Sequence, residues 1–457
     1  MRKLNVGKMI EESKFNRFHF MVLFLLTFII VFDGFDLVSF GAVIPVLMKE
    51  WGLTPIQAGA LGSYTLIGTM IGTLIFGLLA DKVGRKNIIL FCFTLFSVFT
   101  GLIWFANNPT VFGVYRFIGG LGLGGVLPNV IALMTEYSPK KWQSTSVTII
   151  EGGFAFGSAI AATVAIFVIP NFGWRPLFLV GALPLLTLPI LYKYLPESPG
   201  IYLAKNKKEK LTFALTKIIP GFRPEKGDEY EITIPEKSEF PVASLFKNKR
   251  AISTSLIWLG TAFGLLMVYG LNTWLPKFMQ TAGFALGSSL AFLVVLNFGA
   301  IFGGVFGGWL SDRWNGRKVV IFFTLIAAVA FILLSFKTNT FITYLLIFVA
   351  GATTIGTTYT ANAYISQYYP SKMRSTGVGW ALGIGRIGAV LGPTLGGVLL
   401  TMNLPIKINF LILAIPGLIV ALSFLMIKDR YSNAYTEDIK KANQIVEQTD
   451  TLSPNEV

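Results

Sequence analysis

The chain has 457 residues, of which 53% are hydrophobic and only 13% charged, with a mean hydropathy of +0.66. Soluble domains carry about 25% charged residues, so this composition excludes a soluble multidomain protein and points to a polytopic membrane protein. The net charge of +15 sits on loops, which argues against nucleic-acid binding. One histidine (His19) and one cysteine (Cys92) cannot build a zinc site, a disulfide or a Cys–His nucleophile.

Residues 1–19 read as a polar tail with no secretory signal ahead of the first span. The first apolar run, 20–48, carries two carboxylates, Asp33 and Asp36, near its middle. A charge at bilayer depth costs roughly 2.5–3.5 kcal/mol on insertion scales, so it is rarely kept without a role. Their i, i+3 spacing puts both on one helix face. The pair suggests a buried site that binds or passes a proton, with a structural salt bridge as the plainer alternative.

Further spans follow at 57–80, 87–106, 110–136, 145–170 and 174–195, completing a first half over 20–195. The stretch 196–250 is charged, rich in Pro, Gly, Glu and Lys after a helical pattern at 201–218, and reads as a solvated linker. A second half over 251–428 holds spans at 251–280, 286–310, 318–336, 340–368, 375–402 and 406–427, and 429–457 is a second polar tail. Thirty-one of the 38 Lys and Arg fall on the loops and tails of one side if the spans alternate, and five fall on the other. By the positive-inside rule, both termini and the linker are expected to be cytoplasmic in an inner or plasma membrane. The remaining two, Arg116 and Arg386, lie inside spans four and eleven.

Two loops recur at a constant spacing. GLLADKVGRK at 77–86 reappears as GWLSDRWNGRK at 308–318, and EYSPKKWQSTSV at 136–147 as QYYPSKMRSTGV at 367–378. Asp81 to Asp312 and Pro139 to Pro370 are both offset by 231 residues. The expected fold is therefore an all-α bundle of twelve helices in two pseudo-symmetric six-helix halves. The intramembrane charges break the repeat: Asp33 maps to Gly264, Asp36 to Met267, Arg116 to Ile347 and Arg386 to Ala155. The scaffold is duplicated and the site is not.

The loop at 77–86, between spans two and three and repeated between spans eight and nine, resembles the signature loop of the major facilitator superfamily. Four further stretches resemble its aromatic acid:proton symporter family: Asp33-Gly-Phe-Asp36, Tyr115 to Asn129 with its glycine run, Tyr269-Gly-Leu-Asn272-Thr-Trp274-Leu-Pro276, and Gly379-Trp380 to Gly388 around Arg386. The resemblance covers about residues 15–428. It implies proton-coupled uptake of benzoate-like acids by alternating access, with Asp33 and Asp36 essential. It also implies a cytoplasmic charge cluster of Asp81, Arg85 and Glu136 that holds an inner gate shut, matched by Asp312, Arg313 and Arg317 in the second half.

Arginine offers a planar fork that matches a carboxylate. Arg386, Arg116 or both are expected to receive the substrate, unless each merely pairs with Asp33 or Asp36. Glu151, some seven residues into span five, departs from the family pattern. It reads as a second titrating group or as a partner of Lys141 or Arg116. Phe35, Asn272, Asn297, Asn362 and Trp380 are the candidate pocket walls, with Tyr269, Trp274, Tyr359, Tyr364 and Gln367 behind them, since flat rings suit an aromatic ligand.

Gly383-Ile-Gly385-Arg-Ile-Gly388 has the letters of a dinucleotide fingerprint but follows no strand. No GxxxxGK[ST] occurs, so ATP is not expected as the energy source, and no cofactor or metal is implied. Pro196-Glu197-Ser198-Pro199 is shared with sugar porters, which leaves a sugar, nicotinate or other organic-acid carrier, or a drug-type exporter, as the alternative. The expected partners are a small aromatic carboxylate, a proton and the lipid bilayer, with a monomeric protein. Nothing in the residues supports an enzyme.

Overall fold

The computed structural model describes residues 2–225, 228–231, 242–247, 249–336, 339–370, 373–402 and 404–432. Twelve helices among them are long and apolar enough to cross a membrane. After a short α1 (Val6–Glu11), the first half contains α2 (Arg17–Trp51), α3 (Pro55–Val83), α4 (Arg85–Leu102), α5 (Pro109–Tyr137) and α6 (Gln143–Phe172). Its sixth span is α7 (Arg175–Ala182) and α8 (Leu188–Tyr194), joined by a tight turn of helix at Leu183–Thr187. The second half contains α11 (Ala251–Thr281), α12 (Leu286–Arg313), α13 (Gly316–Leu334), α14 (Thr340–Tyr368), α15 (Arg374–Thr401) and α16 (Ile406–Met426). Two further helices in the connecting stretch, α9 (Pro199–Ala204) and α10 (Lys208–Ile218), bear out the helical pattern read there.

The repeat of 231 residues is visible in how the helices start, stop and touch. Asn108 and Asn339 cap α5 and α14, their side chains accepting from the backbone N–H of Val111 (2.9 Å) and Ile342 (2.8 Å). Gly52 and Gly283, at φ +60° and +98°, follow the ends of α2 and α11 in the left-handed region where glycine carries no Cβ penalty. Gly72 of α3 lies against the Leu121 backbone of α5, and Gly303 of α12 against the Ala352 backbone of α14; any side chain there would strike a carbonyl. Lipid tails are as apolar as leucine, so such close approach, with its packing contacts, holds membrane helices together.

Between the halves, α2 packs on α11, α3 on α15 and α6 on α12. The apolar core is divided unevenly. One cluster runs across both halves, joining Phe40, Ala161 and Ala165 to Leu271, Leu293 and Leu296. At the other end each half has its own cluster, around Ile89, Leu133 and Ile150 in one and Ile257, Tyr368 and Phe424 in the other. That divided end also carries the connecting stretch; we call it the linker end, and its opposite the far end.

The connecting stretch does not float free. Leu211, Leu215 and Ile218 of α10 are buried with Val6 and Ile10 of α1 against the first half, whereas Leu245 joins the core of the second. Asn16 donates to the carbonyls of Lys217 and Ile218 (2.9 Å each) and so also closes the C-terminus of α10. β1 (Lys3–Asn5) pairs in parallel with β2 (Glu229–Glu231), and Arg2 donates to Asp228 at 2.9 and 3.1 Å. That hydrogen bond, with the Glu225 backbone N–H, holds the Asp228 carboxyl below its ordinary pKa.

Candidate functional site

A small chamber sits between the halves at mid-height. α2 contributes Asp33, Asp36, Leu37 and Phe40, α3 contributes Gly62, Thr65, Leu66 and Thr69, and α5 contributes Arg116 and Leu123. Phe154 of α6 closes one wall, and the second half supplies Tyr269 and Thr273 from α11 and Arg386 and Pro393 from α15. Spacings of three and four residues on α2, α3 and α11 turn each set onto one helix face. The chamber's free volume is about 20 Å³, room for about one water.

Asp33, Asp36, Arg116 and Arg386 thus share one chamber, yet they are not equivalent. Arg116 Nη1 donates to both oxygens of Asp36, at 2.7 and 2.6 Å, and each side chain is 3% exposed. The guanidinium also lies over the Phe40 ring, 5.0 Å from its centre. Arg116 is therefore occupied by a protein carboxylate. Asp33 and Arg386 line the chamber from opposite halves without an ion pair between them within 4 Å. Arg386 shares the chamber with the Tyr269 phenol. Among the described residues, no carboxylate pairs with Arg386, whereas the chamber's other arginine is held by Asp36.

Other expected site residues lie elsewhere, each for a geometric reason. Phe35 is buried beside Phe32, Thr100 and Gly181, because two residues past Asp33 a helix has turned to its other side. Asn272 donates to the Val268 carbonyl and accepts from Asn297 (3.4 Å), which itself donates to the Leu293 carbonyl. The two amides thus brace α11 against α12. Trp274 donates to the Pro393 carbonyl at 2.6 Å and ties α11 to α15. Trp380 is 42% exposed and stacks on Trp258. Asn362 is half-buried and lines no part of the chamber.

Glu151 lies outside the chamber, half-buried on α6. Its carboxylate meets neither Lys141 nor Arg116 and forms no ion pair among the described residues, while the Tyr359 hydroxyl of α14 donates to its backbone carbonyl (3.4 Å). Ala155, one turn further along, packs with Val268, Ala300 and Ile355, so Glu151 sits on the seam between the halves.

At the linker end, two ion pairs among the described residues each lie within one half. Arg85 meets Glu136 at 2.8 Å. Arg317 donates to the Ile427 carbonyl and pairs with Asp429 (3.3 Å), which also accepts from Tyr364 (2.7 Å). The side chains of Asp81 and Asp312 lie outside the described residues. Asp429 was not expected from the sequence, because the 231-residue offset that relates the two halves maps Glu197, which accepts from the Lys86 backbone N–H at the start of α4, onto Lys428 instead. Thr65, Thr69 and Thr273 were also missed, since threonine in a membrane helix is unremarkable by itself.

At the far end the halves are joined. Ser63 of α3 donates to the Val390 carbonyl of α15 (2.6 Å) and shares a hydrogen bond with Thr394 (2.8 Å). Gly41 of α2 packs directly on the Asn272 backbone of α11.

The sequence matches the Major Facilitator Superfamily over residues 26–314 and again over 289–450. It is 43% identical over 436 residues to the benzoate transport protein of Acinetobacter baylyi, covering 94% of each chain. Identity is 37% to the gentisate transporter of Corynebacterium glutamicum (90% of this chain, 89% of the relative). It is 33% to the 4-hydroxybenzoate transporter PcaK of Pseudomonas putida (88% and 91%). Among solved structures, the inward-open xylose transporter XylE from E. coli superposes with a TM-score of 0.71 at 16% identity, covering 90% of this chain and 96% of that one. A bacterial homologue of the human lysosomal transporter Spinster gives 0.70 at 18%, covering 92% and 98%. The chain belongs to the major facilitator superfamily and groups with its aromatic-acid transporters.

Proposed function

We propose that the protein imports small aromatic monocarboxylates together with protons, by alternating access, across the cell membrane. The carrying observation is that Arg386 and Asp33 line one chamber from opposite halves while Arg116 is already paired with Asp36. The substrate carboxylate docks on Arg386. Protonation of Asp33 removes the anion that competes for that cation, so proton and substrate each favour the other's binding, as linkage requires. A chamber with room for about one water admits a flat acid only when the halves move apart.

The linker end is the cytoplasmic end, by the distribution of Lys and Arg, and both termini lie there. The far-end contacts then close the outer side, and the divided linker end is the inner one. Loading occurs from outside when those outer contacts part, and release follows when the inner ends separate. Arg85–Glu136 and Arg317–Asp429 brace the inner ends of the separate halves. Glu151 is a second titrating group on the inner seam. Relatives named for benzoate, gentisate and 4-hydroxybenzoate support the substrate class.

The test is uptake of labelled benzoate and hydroxybenzoates into cells or proteoliposomes, with and without a protonophore. Wild type should accumulate the acid and lose accumulation with the protonophore. Arg386→Gln should lose binding. Asp33→Asn should still exchange substrate while losing proton-driven accumulation. Accumulation by Asp33→Asn at the wild-type level, with unchanged pH dependence, removes Asp33 as the proton site.

A further inference from the structure

Most threonines in these membrane helices spend their hydroxyl on the carbonyl one turn back: Thr69 on Thr65, Thr73 on Thr69, Thr261 on Ile257, Thr354 on Ala350 and Thr360 on Gly356. Two chamber-lining threonines do not. Thr65 is 5% exposed and Thr273 is 1% exposed, and the hydroxyl of each has no hydrogen-bond partner. They stand on opposite halves, Thr65 on α3 and Thr273 on α11, and both line the chamber that holds Arg386. A buried polar group without a partner is costly; unpartnered hydroxyls such as those of Ser39 and Ser97 occur elsewhere in these helices, but among the described residues only Thr65, Thr273 and Nε of Arg116 both lack a partner and line the chamber, where a ligand can supply one.

We infer that Thr65 and Thr273 read a hydroxyl on the aromatic ring, so that the preferred cargo is a ring-hydroxylated aromatic acid and not benzoate itself. The inference rests on the proposed carboxylate site at Arg386 and deepens it. The relatives leave the choice open, since they are named for both unsubstituted and hydroxylated acids. A hydroxyl reaches what a bare ring cannot. Benzoate would bury both threonine hydroxyls with nothing to pair with, whereas a ring hydroxyl both donates and accepts. A site built to hydrogen-bond a substrate hydroxyl discriminates strongly against the analogue that lacks it. Because the two threonines belong to different halves, a hydroxylated ring anchored at Arg386 also has a polar contact available on each side of the moving boundary.

The experiment is equilibrium titration of the purified full-length protein in lipid nanodiscs with benzoate, 3-hydroxybenzoate, 4-hydroxybenzoate and 2,5-dihydroxybenzoate. Each is measured on wild type, Thr65→Val, Thr273→Val, Thr65→Ser and Thr273→Ser. The readout is the ratio of affinities for the best hydroxylated acid and for benzoate within each protein, which cancels general effects of a substitution on folding or occupancy. Wild type should favour a hydroxylated acid by roughly 5–50-fold. At least one valine variant, which keeps the threonine shape without its hydroxyl, should bring that ratio towards one, and the matching serine variant should restore it. Equal affinities in wild type, or a preference that survives both valine variants, overturns the assignment while leaving the carboxylate reading intact. Binding of none of the four acids to wild type overturns the proposed function, and this assignment with it.

Discussion

Arg116 and Asp36 form a buried pair in which one guanidinium nitrogen serves both carboxylate oxygens. Removing one partner of such a pair leaves an uncompensated charge, which costs about 3–5 kcal/mol, far more than the intact pair contributes over apolar packing. Asp36→Asn should therefore lower the thermal unfolding midpoint of the purified protein sharply, read by intrinsic tryptophan fluorescence. The double variant Asp36→Asn/Arg116→Gln should regain more than half of the loss. A single variant as stable as wild type would mean the pair is not what holds Arg116 in place. The i, i+3 spacing of Asp33 and Asp36 made their shared face legible in the sequence. Their division of labour was not, because the partner that claims Asp36 lies 80 residues away and Arg386 approaches Asp33 from the other half. The same limit hid the mutual pairing of Asn272 and Asn297. Phe35 is different: helical periodicity already turns it away from the face that Asp33 and Asp36 share, whatever its aromatic character suggests.

At the scale of helices, the hydropathy runs and the 231-residue repeat anticipated the twelve spans to within a few residues at most ends, and the repeat extends to caps and close contacts that no hydropathy plot registers. What helices do to one another across the boundary was far less legible. Glu151 looked out of place on α6, and its surroundings supply the reason: it lies on the seam where Tyr359 of α14 contacts its backbone, with no cation paired to it among the described residues. When α6 and α14 close at the linker end, a charged carboxylate there must either keep its water or take a proton. Protonation is the cheaper course in a closed seam, so return of the empty carrier should depend on pH at the linker side. Glu151→Gln should make that step insensitive to internal pH. In proteoliposomes loaded at alkaline internal pH, the variant's net uptake should exceed that of wild type. A variant whose net uptake follows the wild-type dependence on internal pH would show that Glu151 does not titrate in the cycle.

The whole molecule is two rigid bundles whose shared core is continuous at the far end and divided at the linker end. Such an arrangement is one of two states of a rocking carrier, and its far-end contacts have to break for the other state to form. Ser63 and Thr394 mark that seam, with side-chain oxygens 2.8 Å apart on helices from opposite halves. Cysteines at these two positions place their sulfurs near bonding distance, and the single native Cys92 is buried away from them in the first half. Oxidised Ser63→Cys/Thr394→Cys protein should therefore be arrested: uptake into right-side-out vesicles should fall to background and return on reduction with dithiothreitol. The arrest should be one-sided. The locked protein should still bind labelled aromatic acid presented at the linker end, which inside-out vesicles expose if that end is cytoplasmic as proposed, and should bind none presented at the far end. Transport that continues at the wild-type rate in fully cross-linked protein would mean that the far-end seam never opens, and alternating access about this boundary would be the wrong description of the cycle.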